Sequence, residues 1–78
     1  MKSHKYYRIL YLYDCFKAGK IVTISNFAGL FEVDQRTIQR DINDVRCYLA
    51  NIKAVHGCKN GEIVYDRSKG GYTFRRDT

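Results

Sequence analysis

Arg36, Gln39, Arg40 and Asn43 are the side chains whose types and spacing best suit chemistry in this sequence. Wound as an α-helix at about 100° per residue, they share one side of the wheel. All four donate hydrogen bonds and none is acidic, while Asp41 and Asp44 are displaced to a flank. Arg is the usual bidentate partner of guanine edges, and Gln and Asn are the usual partners of adenine edges, so this side could read a major groove. A solvated amphipathic helix carries similar residues, and on the helix alone the two readings stand level. Gln35, Arg36, Thr37 and Gln39 fall in the first turns, where a groove-entering helix reaches bases. With Arg40 and Asn43 they form the expected contact set. Arg67 and Lys69 form a second basic group in the loop Asp66 to Gly71. There they could hold phosphate or reach a minor groove; as a plain surface turn the loop would need its Gly-Gly only for backbone freedom.

Other chemistries find less support. Cys15, Cys47 and Cys58 are odd in number and widely spaced, without the paired spacing of a zinc or redox site. They read as reduced thiols, Cys15 packed and Cys47 on the outer side of the long helix. His4 and His56 stand alone, and no glycine-rich phosphate loop, carboxylate pair or nucleophile with an adjacent base occurs. The expectation is no enzyme, no metal and no cofactor.

The positioning elements follow from the same residues. Ile38, Ile42, Val45 and Leu49 lie within about one-sixth of a turn of each other, a stripe that must be buried. Asp34 is a good N-cap for this helix, expected over about 35–50 with its end near Asn51. Before it, Thr23 can cap a helix over about 24–31 with Phe27, Ala28 and Phe31 on its apolar side. Only Phe31, Glu32 and Val33 separate the two, which makes a helix-turn-helix. Glu32 stands at the turn, where a positive φ would cost about 1 kcal/mol.

Upstream, Tyr6, Ile9, Leu10, Tyr13 and Phe16 recur at helical spacing, predicting a first helix over about 4–18 with Ser3 as a cap and Gly19 as a stop. The tyrosines at 6, 7, 11 and 13 exceed what a core needs, and at this spacing they read as packing rather than nucleic-acid stacking, with Tyr7 and Tyr11 the exceptions to watch. Ile21-Val22-Thr23 suits one small strand pairing with a hairpin. Downstream, the segment 52–55 is ambiguous between helix and strand, and Gly57 and Asn60-Gly61 mark a turn. Strands over 62–65 and 72–74 frame the basic loop, giving a wing over about 62–75.

The stretch Phe27-Ala28-Gly29-Leu30-Phe31-Glu32-Val33-Asp34-Gln35-Arg36-Thr37-Ile38-Gln39-Arg40-Asp41-Ile42 resembles the helix-turn-helix of DeoR-type winged-helix repressors. In particular it is similar to the N-terminal domain of WYL-domain transcriptional regulators. Ile63-Val64-Tyr65-Asp66-Arg67-Ser68-Lys69-Gly70-Gly71-Tyr72 resembles the wing of the same family. The chain departs from the family in carrying Asp34 for the usual Ser and Glu32 where Gly is common, and the segment 51–61 is longer than the shortest members need. The resemblance implies a sequence-specific DNA-binding domain in which Asp34 opens the recognition helix. It also implies that assembly and sensing reside in further domains after the wing, or with a dimer partner, so that this chain alone is monomeric and binds weakly.

Seventy-eight residues allow one small domain, 1–78. The net charge of +6 favours a polyanionic partner. No membrane-length apolar run or leader follows Met1, which predicts a cytoplasmic protein. The expected fold is α+β, a winged helix-turn-helix of three helices and a small antiparallel sheet. The expected partner is double-stranded DNA, in transcriptional regulation. Two alternatives are a winged-helix protein-protein interaction module and an RNA-binding module, the second fitting A-form geometry poorly.

Overall fold

The computed structural model describes residues 4–57 and 61–76. The elements run α1 (Lys5–Lys17), α2 (Ile24–Phe31), α3 (Gln35–His56), β1 (Gly61–Asp66) and β2 (Gly71–Arg76). Three helices with a two-stranded antiparallel hairpin make the expected α+β winged-helix arrangement. Ser3, Cys58 and Asn60, read above as a cap, a thiol and half of a turn, lie outside the described residues.

The stripe of α3 is the centre of the core. Ile38, Ile42, Val45 and Leu49 are all buried, together with Leu12, Phe16, Val22, Phe31 and Ile63 from the other elements. Each such side chain stabilises the fold by about 1.5–3 kcal/mol on burial. Truncating one of them to Ala would cost about 2–5 kcal/mol, because the surroundings refill a cavity only in part.

α1 turns inward only part of its expected stripe: Phe16 is buried and Ile9 and Tyr13 pack against the core. Its buried residues are Arg8, Leu12, Cys15 and Phe16, while Tyr6 is 71% and Leu10 65% exposed. On the wheel the buried face sits about a third of a turn from the Tyr6-to-Phe16 stripe. The buried face carries an ion pair that links distant parts of the chain. Nε of Arg8 donates to Oδ2 of Asp41 at 2.7 Å, and both residues are buried. A charged residue can then occupy the inner face of α1, and the tyrosines, with polar tips, tolerate the outer one. Tyr7 and Tyr11 stack with ring centroids 6.3 Å apart and meet Phe31 edge-on, so they pack against α2.

The ends of α1 and α2 use one device. Lys17 is the last residue of α1, and Gly19 takes a left-handed conformation at φ 79°. Its N–H bonds the Phe16 carbonyl and that of Lys20 bonds the Cys15 carbonyl, each at 3.0 Å, a Schellman closure. After α2 the left-handed residue is Glu32 at φ 56°, with Val33 N–H bonded to the Ala28 carbonyl at 3.0 Å. A non-glycine residue therefore carries the strain anticipated at the turn. Thr23 and Asp34 hold the cap positions of α2 and α3, yet neither side chain bonds its helix. The first turn of α3 is closed instead by the Asp34 carbonyl, which accepts from Thr37 and Ile38 N–H.

α3 does not stop near Asn51 but continues to His56, ending at Gly57 with φ 65°. The segment 51–54 holds no breaker, so helical hydrogen bonding propagates until a residue adopts the left-handed form. The ambiguous segment 52–55 is thus helix.

The hairpin pairs Gly61 with Arg76 through to Asp66 with Gly71. The expected strand at Ile21 to Thr23 is reduced to one antiparallel bridge, in which Val22 and Tyr72 exchange both backbone hydrogen bonds at 2.9 and 2.8 Å. β2 therefore lies between β1 and Val22, and among the described residues the far side of β1 has no partner strand. Gly71 allows this close approach. A Cβ there would lie 2.7 Å from Ile21 Cγ2 and 2.8 Å from the Val22 carbonyl oxygen.

Candidate nucleic-acid interface

The burial of the α3 stripe decides what the helix presents outward. Gln35, Arg36, Arg40 and Asn43 are exposed, as is Cys47 on the same side; Thr37 and Gln39 are half-buried. The two acids on the flank are drawn towards α1. Asp41 is held by Arg8, and Oδ2 of Asp44 lies 3.2 Å from Nζ of Lys5. The outer face therefore shows Arg36 and Arg40 with both acids of the helix paired away from it. Such a surface attracts polyanions.

Gln39 departs from the expected outward position. It lies at the edge of the outer arc, and its Oε1 accepts from the Tyr72 hydroxyl at 3.3 Å. Its Nε2 stands 3.5 Å from Oδ1 of Asn43 one turn on. Tyr72 opens the second expected strand of the wing, and nothing local in the sequence ties residues 39 and 72 together. The same ring lies 5.9 Å from the Arg46 guanidinium and meets Tyr65 edge-on at 5.2 Å.

The wing loop is built rather than slack. The Asp66 side chain accepts from the Ser68 hydroxyl at 2.6 Å and from the N–H groups of Ser68 and Lys69 at 3.0 and 3.3 Å. The Asp66 carbonyl accepts from Gly70 N–H at 2.9 Å, and Gly70 has φ 71°. The Ser68 hydroxyl is the main reason why the Asp66 carboxyl titrates below the usual aspartate range. Asp66 is thus occupied within the loop, while Arg67 and Lys69 are exposed at its tip.

A groove of about 350 Å³ joins these parts. One wall is the start of α2 with Ser25 and Asn26, together with Gln35; the other is the base of the wing with Tyr65, Gly70 and Tyr72. Of the sequence-derived residues, Gln35 lines this groove directly, while Arg36, Arg40, Asn43, Arg67 and Lys69 are exposed outside its lining.

No protein-family model, curated protein or solved structure matches this chain. Among the described residues no group of three or more His, Cys, Asp or Glu could hold a metal ion, and no helix is long and apolar enough to cross a membrane.

Proposed function

We propose that this chain binds double-stranded DNA in a sequence-specific way and contributes to transcriptional regulation, as the resemblance to DeoR-type and WYL-domain regulators implies. The α3 helix enters the major groove, and the wing rests on the backbone or in the minor groove. The observation that carries the reading is the outer face of α3. Arg36, Arg40 and Asn43 are exposed there, while Asp41 and Asp44 are tied to cations of α1. The pinned loop supports it by offering Arg67 and Lys69 exposed on a second element.

Titration of duplex at several salt concentrations tests this. If Arg40, Arg67 and Lys69 each neutralise a phosphate, log K falls with log salt at a slope of about −3. Selection from random duplexes then separates the roles. Arg36→Ala should relax preference at particular base pairs by about 1–3 kcal/mol, and Arg67→Ala should weaken all sequences alike. A flat salt dependence and no selected motif would refute the proposal.

A second reading, a protein-interaction module, draws on the exposed Tyr6, Leu10 and Tyr48. Leu10 and Tyr48 line an apolar groove of about 370 Å³ between α1 and α3. That groove lies on the α1 flank of α3, so occupying it would leave the basic face unexplained.

A further inference from the structure

We infer that the Tyr72 hydroxyl decides which edge of the Gln39 amide meets a base, and so which base Gln39 selects. This rests on the duplex-binding reading above. Tyr72 is fixed independently of Gln39. Its backbone is bonded both ways to Val22, and its ring is edge-on to Tyr65 with the Arg46 guanidinium nearby. From that anchored ring the hydroxyl reaches Oε1 of Gln39 at 3.3 Å. Gln39 is half-buried, so a long side chain that would otherwise sample many rotamers is held before any ligand arrives.

The consequence is chemical. An unconstrained glutamine reads adenine with both edges, the carbonyl accepting from N6 and the amide donating to N7. Here Tyr72 takes one of the two carbonyl lone pairs and holds that oxygen towards the wing. The edge left to meet a base is the NH2 group, a donor only, whose present partner is Oδ1 of Asn43 at the long distance of 3.5 Å. That contact yields readily to a stronger acceptor. A donor-only side chain fits a major-groove edge that offers acceptors, guanine N7 and O6 or thymine O4. Gln39 thus selects guanine or thymine, and Tyr72 is its positioning residue. The wing then contributes to base choice without touching a base.

Selection from random duplexes with the parent chain, Tyr72→Phe, Gln39→Ala and the double variant tests the inference. Phe keeps the ring packing and removes only the hydroxyl. The parent motif should carry guanine or thymine at one position that Gln39→Ala flattens. Tyr72→Phe should raise adenine at that same position by about tenfold, within the range of one bidentate contact. The double variant should match Gln39→Ala. Three results would overturn the inference: an unchanged motif with Tyr72→Phe, a change confined to positions that Gln39→Ala leaves alone, or adenine at the Gln39 position of the parent motif. A parent chain that selects no motif counts against the duplex-binding reading instead. The positioning is then decided on the free protein by relaxation of the Gln39 side-chain amide. It should be ordered in the parent and mobile in Tyr72→Phe; equal mobility in both overturns it.

Discussion

Arg8→Met should be far more damaging than the surface position of most arginines would suggest. The Arg8 and Asp41 side chains are 10% and 2% exposed, and their charged atoms meet at 2.7 Å. Without Arg8 the Asp41 carboxylate is shut away from water with no compensating charge, a situation that costs about 3–5 kcal/mol. A domain of this length has about 4–12 kcal/mol in total. With a urea slope of about 1 kcal/mol per molar for so short a chain, the unfolding midpoint falls by about 3 M. Asp41→Leu should cost less, because the long stem of Arg8 lets its guanidinium swing out to solvent. The double variant Arg8→Met with Asp41→Leu should lie within about 1 kcal/mol of the parent or above it, since neither ion then needs to be desolvated. The assay is urea unfolding of all four proteins, followed by tyrosine fluorescence and circular dichroism and analysed as a double-mutant cycle. A midpoint shift below about 1 M for Arg8→Met, or a double variant as unstable as the worse single, would refute the reasoning.

Glu32→Gly should raise stability by about 1 kcal/mol, or about 5 °C in Tm, by relieving the left-handed backbone; a fall would mean that the Glu32 side chain contributes more than its backbone costs. Gly71→Ala should destabilise by about 1–3 kcal/mol through overpacking against Ile21 and Val22. Faster hydrogen exchange at the Val22 and Tyr72 amides would mark the lost bridge, and unchanged exchange would show that the wing shifts freely. The carboxyl of Asp66 is held below its usual range chiefly by the Ser68 hydroxyl. Its contribution to loop order is therefore present above the unfolded aspartate value of about 3.9 and is lost as pH falls through the depressed folded value. The Ser68 and Lys69 amide resonances should stay constant down to about pH 4 and move only below it; a midpoint at or above the ordinary aspartate value would contradict this.

The sequence was legible where one element alone sets the pattern. The α3 stripe is a single-face repeat, and all four of its residues are buried. The short link Phe31 to Val33 and the turn signals around the wing place α2 and the hairpin within a residue or two of their observed ends. The span of α1 is legible within a residue at each end, but its inward face is not, because apolar and aromatic residues surround the helix and the buried Arg8 pairs with Asp41, 33 positions away. No periodicity carries that pairing. Asn51 tolerates left-handed geometry and so suggests an early end to α3, although nothing up to His56 opposes a helix. At the candidate interface, residue type singled out Arg36, Arg40, Arg67 and Lys69, all exposed. What remained hidden was the bond between Tyr72 and Gln39, because sequence separation conceals a contact that only the docking of the wing creates.

The side of β1 that has no partner strand among the described residues carries a risk of its own. Six residues make a ladder of about 20 Å with backbone donors and acceptors facing outward, a template on which another extended chain could grow. Ile63-Val64-Tyr65 at its centre is the composition that favours such growth. Glu62 and Asp66 flank that centre two residues either side of Val64. If two copies joined antiparallel through this edge with Val64 opposite Val64, each Glu62 would face an Asp66, and like charges directly opposite each other oppose the pairing. In that register the two carboxylates would disfavour edge-to-edge pairing. Glu62→Gln should therefore weaken that opposition and favour association through this strand.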